Sequence, residues 1–323
     1  MSAVFHVIEG GLQTTVQDAG RRGLLALGVA HSGALDSLSW QLGNRIVGNS
    51  ADTASLELRS PGPALRLEGK SARVALTGTS GALIVERQGA AQEWPAWRAV
   101  DLRDGDVVRI APFDDTAVAY VAVAGGFAIA EELGSRSTFL RGGLGGLDGR
   151  ALKGGDVLPL VDEHAPDDPC LTLLKTPRFA AAPVLRAMPG PQADHFSEDA
   201  HAAFYSRPFA VTRDLDRMGI RLEGPALTHV RGADIVSDAT LAGAVQVPGS
   251  TQPILLLNDC QTTGGYPKIA IVISAELPIA GRLLPGTEVR FRKVDITEAE
   301  EARFEAEHAY RLLANSLAVV RTG

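Results

Sequence analysis

The chain has 323 residues, of which 45% are hydrophobic and 21% are charged. This length gives room for about two domains, and the composition is ordinary for a globular protein with an ample core. The formal net charge is −7 and there is no long basic block, which argues against nucleic acid as a partner because its binding needs clustered positive charge. No N-terminal signal pattern and no run of about 18 apolar residues occurs, so we expect a cytoplasmic protein without a membrane span.

Short strands rich in valine, isoleucine and leucine dominate the chain, and its 35 glycines and 18 prolines supply turns between them. The predicted strands are Arg73–Leu76, Leu83–Arg87, Val107–Ile110, Val118–Ala122, Ile254–Leu257, Ile269–Ile273 and Glu288–Phe291. This pattern predicts a mainly β fold, in the β-dominated α+β class, with a few helices.

Two helices are predicted from apolar spacing and end signals. The first runs from about Asp36 to Val47, with Gly48-Asn49 as its stop and Ser32 or Asp36 as its cap, so we interpret His31 as incidental. The second begins at Thr297, where Thr297-x-x-Glu300 has the form of a capping box. One face of this second helix is predicted to carry Phe304, His308 and Leu312.

The segment Pro159 to Pro169 mixes prolines with acidic residues and is a candidate linker. We therefore predict a first domain over residues 1–165, a second over 166–295, and a C-terminal helix over 296–323. The similar endings Gly105–Ile110 and Gly286–Phe291 suggest two related β units about one domain length apart.

A polar cluster, Asn258–Lys268, follows the apolar run Ile254–Leu257 directly. Its paired glycines could take positive φ and bring the backbone close to a ligand, while Gln261 and Asp259 could bind a planar amide and Lys268 an anion. The alternative is a polar connection between strands held by Asx and Thr turns. Cys260 lies inside the cluster, and we interpret it as a small buried neutral residue.

Three other polar groups carry weaker signals. The glycine-rich segment Arg141–Arg150 matches neither nucleotide-binding pattern, and we interpret it as a flexible loop near the site whose arginines, with Arg136, could bind a carboxylate or phosphate. The acids and histidines of Asp194–His201 lack metal-ligand spacing and fit a solvated helix start. Asp216-Arg217 could form an ion pair at a barrel mouth or a purely structural salt bridge.

The two cysteines, Cys170 and Cys260, show neither the spacing of a disulfide framework nor that of a zinc site.

The cluster Asp259–Lys268 resembles the signature of the 5-oxoprolinase C-subunit family, also known as allophanate hydrolase subunit 2 or the biotin-dependent carboxyltransferase family and related to the antagonist of the Kip kinase inhibitor. Further blocks fit in the family's order from about Thr15 to Phe291: Thr15–Arg21, Gly28–Asp36, Val123–Gly126, Leu133–Thr138, Gly190–Gln192, Asp216–Leu222 and Gln246–Pro248. The chain departs from the pattern at Cys260, at Glu276-Leu277 and at Gly281-Arg282.

The resemblance implies two cyclophilin-like β-barrel domains and an enzyme component that opens the lactam of 5-oxoproline to L-glutamate with the A and B subunits, of which the B subunit is similar to the Kip inhibitor. It implies ATP at a shared or partner site, because no nucleotide motif is visible here. The residues carried over as catalytic are Asp259, Gln261, Lys268, Arg217 and Asp216. Those carried over as substrate-binding are Thr262, Thr263, Gly264, Gly265, Tyr266 and Arg136, with no metal.

Two other functions fit the same resemblance. One is carboxyl transfer from carboxybiotin to urea or a related amide, with biotin on a separate carrier because the chain has no biotinyl-lysine motif. The other is a non-catalytic regulator that binds the Kip inhibitor-like partner.

Overall fold

The computed structural model describes residues 3–162 and 165–320. Its α-helices are α1 (Ser37–Ile46), α2 (Glu198–Ser206), α3 (Leu277–Ala280) and α4 (Ile296–Ala314), with 3-10 turns at Leu25–Leu27, Ala193–His195 and Ser274–Glu276. Its strands are β1 (Val4–Glu9), β2 (Gln13–Gln17), β3 (Ser55–Arg59), β4 (Ala64–Glu68), β5 (Ser71–Thr77), β6 (Ala82–Arg87), β7 (Ala90–Pro95), β8 (Ala99–Arg103), β9 (Val107–Ile110), β10 (Ala119–Val123), β11 (Val157–Pro159), β12 (Leu171–Leu173), β13 (Val184–Pro189), β14 (Phe209–Leu215), β15 (Gly219–Glu223), β16 (Asp238–Ala239), β17 (Ala244–Gln246), β18 (Ile254–Leu256), β19 (Thr263–Gly264), β20 (Lys268–Val272), β21 (Glu288–Lys293) and β22 (Leu317–Val319).

The mainly β fold is confirmed, and each of the seven predicted strands is present within one or two residues of its predicted bounds. Contacts divide the described chain into two compact units. The first lies within Met1–Arg21, Ser32–Pro177 and Tyr310–Gly323, and the second within Arg22–His31 and Arg178–Ala309. The sequence-based borders near residues 165 and 295 remain predictions about where independently folding domains end.

The first unit contains a six-stranded sheet, ordered β11-β1-β4-β9-β6-β7, and a five-stranded sheet, ordered β2-β3-β10-β5-β8. One core cluster takes alternate side chains from both sheets, among them Phe5, Leu65, Leu56 and Val121. Helix α1 packs its Leu42 and Ile46 into a second cluster with alanines of β5 and β10. The core of this unit is therefore a layer between two sheets, with a helix covering the outer face of one.

The predicted start of α1 is confirmed. The carboxylate of Asp36 accepts hydrogen bonds from the Ser39 backbone N–H at 3.1 Å and the Ser39 hydroxyl at 2.5 Å. Asp36 is therefore the N-cap, which satisfies a backbone donor that the helix itself leaves unpaired.

The segment predicted as a linker is bonded to other parts of the first unit at several of its described residues. Leu160 N–H donates to the Ala3 carbonyl at 2.9 Å, and the Arg73 guanidinium donates to the Pro166 carbonyl at 3.1 Å. Residues 163 and 164 of this predicted linker lie outside the described residues, as do residues 321–323 of the predicted C-terminal segment.

The second unit is a closed barrel, ordered β13-β20-β17-β18-β15-β14-β21, which the parallel pair β21 and β13 closes. Inward side chains such as Ile220, Val245 and Leu255 are almost fully buried. Aromatic rings fill one part of this core: Phe204 of α2 stacks on Phe291 of β21, with ring centroids 4.3 Å apart. The inward positions alternate with outward ones, and the outward face carries the polar groups described below.

The last helix is present and begins at Ile296, one residue before the predicted Thr297, but the predicted capping box is wrong. Asp295 and Glu298 form the capping box, because Glu298 N–H donates to the Asp295 carboxylate at 2.9 Å and Asp295 N–H donates to the Glu298 carboxylate at 3.1 Å. The box is therefore two residues earlier than Thr297-x-x-Glu300. Phe304 and Leu312 are each 59% exposed, whereas Ala302 is buried.

Candidate functional site

The outer face of the barrel at β17 and β18 is covered by the polar loop that follows β18. Val245 pairs with Leu255 and both point inward, so the next pair along the strands, Gln246 with Ile254, points outward. On this outer face Cys260 packs with Ala244 and Leu256 in a small apolar cluster. The loop after β18 therefore forms a second layer over the outer face of β17 and β18.

A cavity of about 490 Å³ lies on this face of the second unit. It is called here the Gln246 cavity and is lined by Arg213, Asp214, Leu215, Asp216, Met218, Gly219, Arg221, Gln246, Ile254, Leu256, Gln261 and Tyr266. Three predicted site residues, Asp216, Gln261 and Tyr266, lie in this lining. The floor is apolar and the walls carry amides, guanidinium groups and carboxylates, a lining more polar than that of most small-molecule sites.

Gln246 is the most informative group in the lining because its carboxamide is 1% exposed. Its Oε1 accepts a hydrogen bond from Gln261 Nε2 at 3.2 Å, while its buried Nε2 has no hydrogen-bond partner within the described part of the chain. Leaving a buried donor without an acceptor costs about 1–3 kcal/mol. Because protein atoms alone bury Nε2, a ligand carbonyl could supply that acceptor only after neighbouring side chains move aside.

Gly264 makes room for this carboxamide. A Cβ at position 264 would lie 2.5 Å from Gln246 Nε2 and 3.4 Å from Gln261 Nε2. The sequence-based expectation of positive φ at the paired glycines is wrong, since neither Gly264 nor Gly265 has it. Gly264 is required by side-chain crowding, whereas a Cβ at Gly265 would meet only the Ile235 carbonyl at 3.5 Å.

Backbone pairing fixes the rest of the loop. Thr263 and Gly264 pair with Ala239 and Asp238 in a two-stranded ribbon, and the Thr240 N–H donates to the Thr262 carbonyl at 3.0 Å. The side chains of Thr262 and Thr263 do not line the Gln246 cavity. Their part in substrate binding stays a prediction, and their observed part is to hold the loop that carries Gln261.

Asp259 and Arg217 form a buried ion pair. Arg217 donates to both carboxylate oxygens of Asp259 at 3.0 Å, and the two side chains are 3% and 4% exposed. The pair expected between neighbours Asp216 and Arg217 is therefore formed by Arg217 with Asp259. The exposed Asp216 instead accepts hydrogen bonds from the Met218 and Gly219 backbone N–H groups and shapes the turn before β15.

Lys268 is buried, and its ammonium is paired with a carboxylate of the protein. Its side chain is 2% exposed, and its ammonium donates to Asp238 at 2.8 Å and to the Ala239 carbonyl at 3.0 Å. The Lys268 ammonium, together with Gln192, lowers the pKa of Asp238 to about 2. Lys268 thus ties β20 to the ribbon strand β16, and a catalytic role for it remains a prediction.

Burial raises the pKa of the Cys260 thiol to about 12, with Asp259 adding to the shift. A thiol with such a pKa stays protonated at neutral pH and is a poor nucleophile. The interpretation of Cys260 as a buried neutral residue is confirmed.

The segment after Asp194 begins a helix, as predicted. Ser197 caps α2 through its hydroxyl, which accepts a hydrogen bond from Ala200 N–H at 3.1 Å.

The glycine-rich segment Arg141–Arg150 lies in the first unit and is ordered by its own hydrogen bonds. Gly145 N–H donates to the Glu132 carboxylate at 2.7 Å, and Gly146 N–H donates to the Arg136 carbonyl at 2.8 Å. Arg150 pairs with Asp156 at 2.7 Å. Gly145, Gly146 and Arg150 are thus engaged within the first unit, and anion binding by the arginines of this loop stays a prediction.

Arg136, predicted to bind substrate, is also engaged within the first unit. Its guanidinium donates to Glu131 at 2.8 Å and to the Ile129 carbonyl at 2.8 Å. Its backbone N–H donates to Asp18, a buried carboxylate that also accepts from Ser135, Ser137 and Gly20. Burial alone would raise the pKa of Asp18, but these hydrogen bonds outweigh it and hold the pKa below its ordinary value.

Sequence reasoning named three of the twelve lining residues as site residues and missed the other nine, among them Gln246, Arg213, Arg221 and Met218. Gln246 was visible as part of a family block, and a glutamine next to an inward-facing valine is a signal for the outer face of a strand. Nothing local marks Arg213, because a strand irregularity between Val211 and Leu215 determines its position.

The chain matches the description "Carboxyltransferase domain, subdomain A and B" over residues 27–293. It is 33% identical over 311 residues to the 5-oxoprolinase C subunit of Escherichia coli K12, a match that covers 96% of this chain and 98% of that protein. It is 30% identical to urea amidolyase of Lachancea kluyveri, across 96% of this chain but 18% of the relative.

Among solved structures, the K. lactis urea amidolyase superposes with a TM-score of 0.87 at 27% identity, over 99% of this chain and 20% of that one. This chain therefore has the fold of about one fifth of the K. lactis urea amidolyase. No helix among the described residues is long and apolar enough to cross a membrane. With a family match over most of its length and a near full-length relative, the chain belongs to the carboxyltransferase domain family, subdomain A and B.

Proposed function

We propose that this protein is the C subunit of a heteromeric ATP-dependent 5-oxoprolinase, which opens the lactam of 5-oxoproline to L-glutamate with the A and B subunits, and that the Gln246 cavity holds the lactam. The observation that carries the proposal is the buried Gln246 carboxamide with its unpaired Nε2. The match to the 5-oxoprolinase C subunit, over 98% of that protein, supports the choice of substrate.

The cavity offers what a small cyclic amide needs. Once the side chains that bury it move aside, Gln246 Nε2 would donate to the lactam carbonyl, and the neighbouring Gln261 carboxamide would offer an acceptor for the lactam N–H. Ile254 and Leu256 provide an apolar floor under the ring. These contacts orient the amide and remove water from it, and a donor on the carbonyl oxygen also stabilises negative charge that develops there during attack.

ATP is assigned to a shared or partner site. The glycine-rich segment Arg141–Arg150, the part of the sequence closest in composition to a phosphate cradle, uses its Gly145 and Gly146 N–H groups within its own surroundings. When bound, ATP would supply phosphorylation of the lactam oxygen to give a better electrophile. The residues of the Gln246 cavity would hold the amide during that step.

Carboxyl transfer is the second candidate, and the matches to urea amidolyase favour it. In this function the cavity would bind urea or a related amide, and the carboxyl group would arrive on biotin attached to a separate carrier. A non-catalytic regulator that binds the Kip inhibitor-like partner would use the barrel as a binding module alone.

Reconstitution with the A and B subunits tests the proposal. We expect the three proteins to form a stable complex and to convert 5-oxoproline to glutamate only when ATP and this chain are both present. Bicarbonate-dependent carboxylation of urea with a biotinylated carrier, and no ring opening, would favour carboxyl transfer. A stable complex in which the chain changes no turnover would favour the regulator, and separate elution at micromolar concentration would contradict the assembly.

A further inference from the structure

Two arginines lie beside the Gln246 cavity in positions set by strand register. Arg221 on β15 pairs with Ile254 on β18, and Ile254 pairs in turn with Gln246 on β17. These three residues therefore sit side by side on one face of the barrel. Two strand spacings, about 10 Å, separate the backbones of Arg221 and Gln246. The side chains of Arg221 and Gln246 thus lie on either side of the Ile254 side chain.

Arg213 reaches the same place through an irregularity in β14. Val211 pairs with Leu222 and Leu215 pairs with Ile220, so three residues of β14, Thr212 to Asp214, lie opposite Arg221 alone. Such a bulge redirects side chains, and Arg213 and Arg221 both line the cavity. The two arginines lie on neighbouring strands, where like charges close together are destabilising and a bound anion would relieve their repulsion.

Two acids in the same lining balance the charge of the two arginines without forming ion pairs with them. Asp216 also lines the cavity, but its carboxylate accepts from the Met218 and Gly219 N–H groups. Asp214 lines it as well, and within the described ranges neither acid forms an ion pair with Arg213 or Arg221. The two guanidinium groups therefore keep their donors available to a ligand.

We infer that Arg213 and Arg221 bind the carboxylate of the substrate, so that the Gln246 cavity selects a small amide that carries an acid group over a neutral one. The inference rests on the proposed function and identifies its specificity residues. A guanidinium fork matches a carboxylate in two hydrogen bonds, while the Gln246 carboxamide holds the amide at the other side of Ile254. Urea has no group for the arginines.

Ligand binding to the full chain tests the inference, both alone and assembled with the A and B subunits. The probes are 5-oxoproline and 2-pyrrolidinone, which has the same lactam without the carboxylate. The variants are Arg221→Gln, Arg213→Gln and Arg221→Lys, with Arg207→Gln as the control because Arg207 is exposed and outside the cavity lining. Calorimetry gives the Kd of each probe, and steady-state assays of the complex give KM and kcat.

Each glutamine variant is expected to weaken 5-oxoproline binding and raise its KM by about tenfold or more, since a charge-assisted hydrogen bond is lost. The Kd of 2-pyrrolidinone should not change, kcat should change little, and Arg221→Lys should fall between wild type and Arg221→Gln. Equal effects on both probes, an unchanged KM for 5-oxoproline, or displacement of 5-oxoproline by inorganic phosphate at similar concentration would overturn the inference.

The two proposals fail in different ways. A chain that discriminates 5-oxoproline from 2-pyrrolidinone through Arg213 and Arg221 but supports no ring opening would contradict the proposed function and uphold the carboxylate site. Ring opening with unchanged constants in both glutamine variants would uphold the function and contradict the carboxylate site.

Discussion

The two charged residues at the ends of the family signature, Asp259 and Lys268, form ion pairs within the barrel unit. Asp259 and Lys268 each have a partner in the fold, Arg217 and Asp238 respectively. The amides Gln246 and Gln261 face the cavity instead. Within the signature, therefore, the amide of Gln261 lines the cavity while the charged groups of Asp259 and Lys268 are paired inside the fold.

Removing one member of the buried Arg217–Asp259 pair should destabilise the protein. Asp259→Asn leaves the Arg217 charge buried without its counter-ion, and breaking such a pair costs about 3–5 kcal/mol. Urea unfolding measures the loss. Glu223→Gln, an exposed acid on the neighbouring strand β15, is the control and should stay within about 0.5 kcal/mol of wild type. An unchanged free energy of unfolding for Asp259→Asn would show that the pair adds nothing to the fold.

The Asp238–Lys268 contact should give the protein a defined acid dependence. Because the pKa of Asp238 falls from 3.8 to about 2 on folding, its contribution to stability is fully present above pH 3.8 and lost as the pH falls through about 2. Thermal unfolding of wild type and Asp238→Asn between pH 6 and about 2 measures it. The gap in melting temperature should close toward the acid end, and a gap that stays constant would contradict the assignment.

At the scale of elements, the barrel strands and the loop after β18 together form the cavity. The sequence predicted β18, β20 and β21 from their apolar runs. It could not predict the ribbon of β16 and β19, since two-residue strands have no periodicity to detect. The missed ribbon explains why Thr263 and Gly264 were expected to face ligand rather than pair with Asp238 and Ala239.

The two glycines of the loop should respond differently to alanine. Gly264→Ala places a methyl group 2.5 Å from Gln246 Nε2, so it should displace that carboxamide and raise the KM of the assembled enzyme. Gly265→Ala meets nothing closer than 3.5 Å and should behave as wild type in both kinetics and melting temperature. Equal kinetic constants for the two variants would show that the Gln246 carboxamide takes no part in substrate binding.

The start of α4 offers a test of capping. Asp295→Ala removes the carboxylate that accepts from Glu298 N–H and should cost about 1 kcal/mol of stability. Thr297→Ala, in the box predicted from sequence, should be nearly neutral. Chemical unfolding of the two variants decides between the two positions. The ambiguity arose because Asp295-x-x-Glu298 and Thr297-x-x-Glu300 both have the capping-box pattern.

At the scale of the whole molecule, the family resemblance predicted more than periodicity did. Composition and turns indicated a mainly β fold, but the register that places Arg221, Ile254 and Gln246 side by side exists only in the closed barrel. Those residues come from three separate parts of the sequence. Long-range pairing of this kind leaves no local pattern, so the cavity could be located only in the structure.

The central claim is that Gln246 holds the amide of the substrate in a 5-oxoprolinase complex. The most direct measurement is kcat/KM for ATP-dependent conversion of 5-oxoproline by the complex with the A and B subunits, comparing wild type with Gln246→Met. Methionine has nearly the same size but cannot donate to a lactam carbonyl. We predict a fall of about tenfold or more with little change in melting temperature, because the lost hydrogen bond is made to substrate. An unchanged kcat/KM would contradict the account.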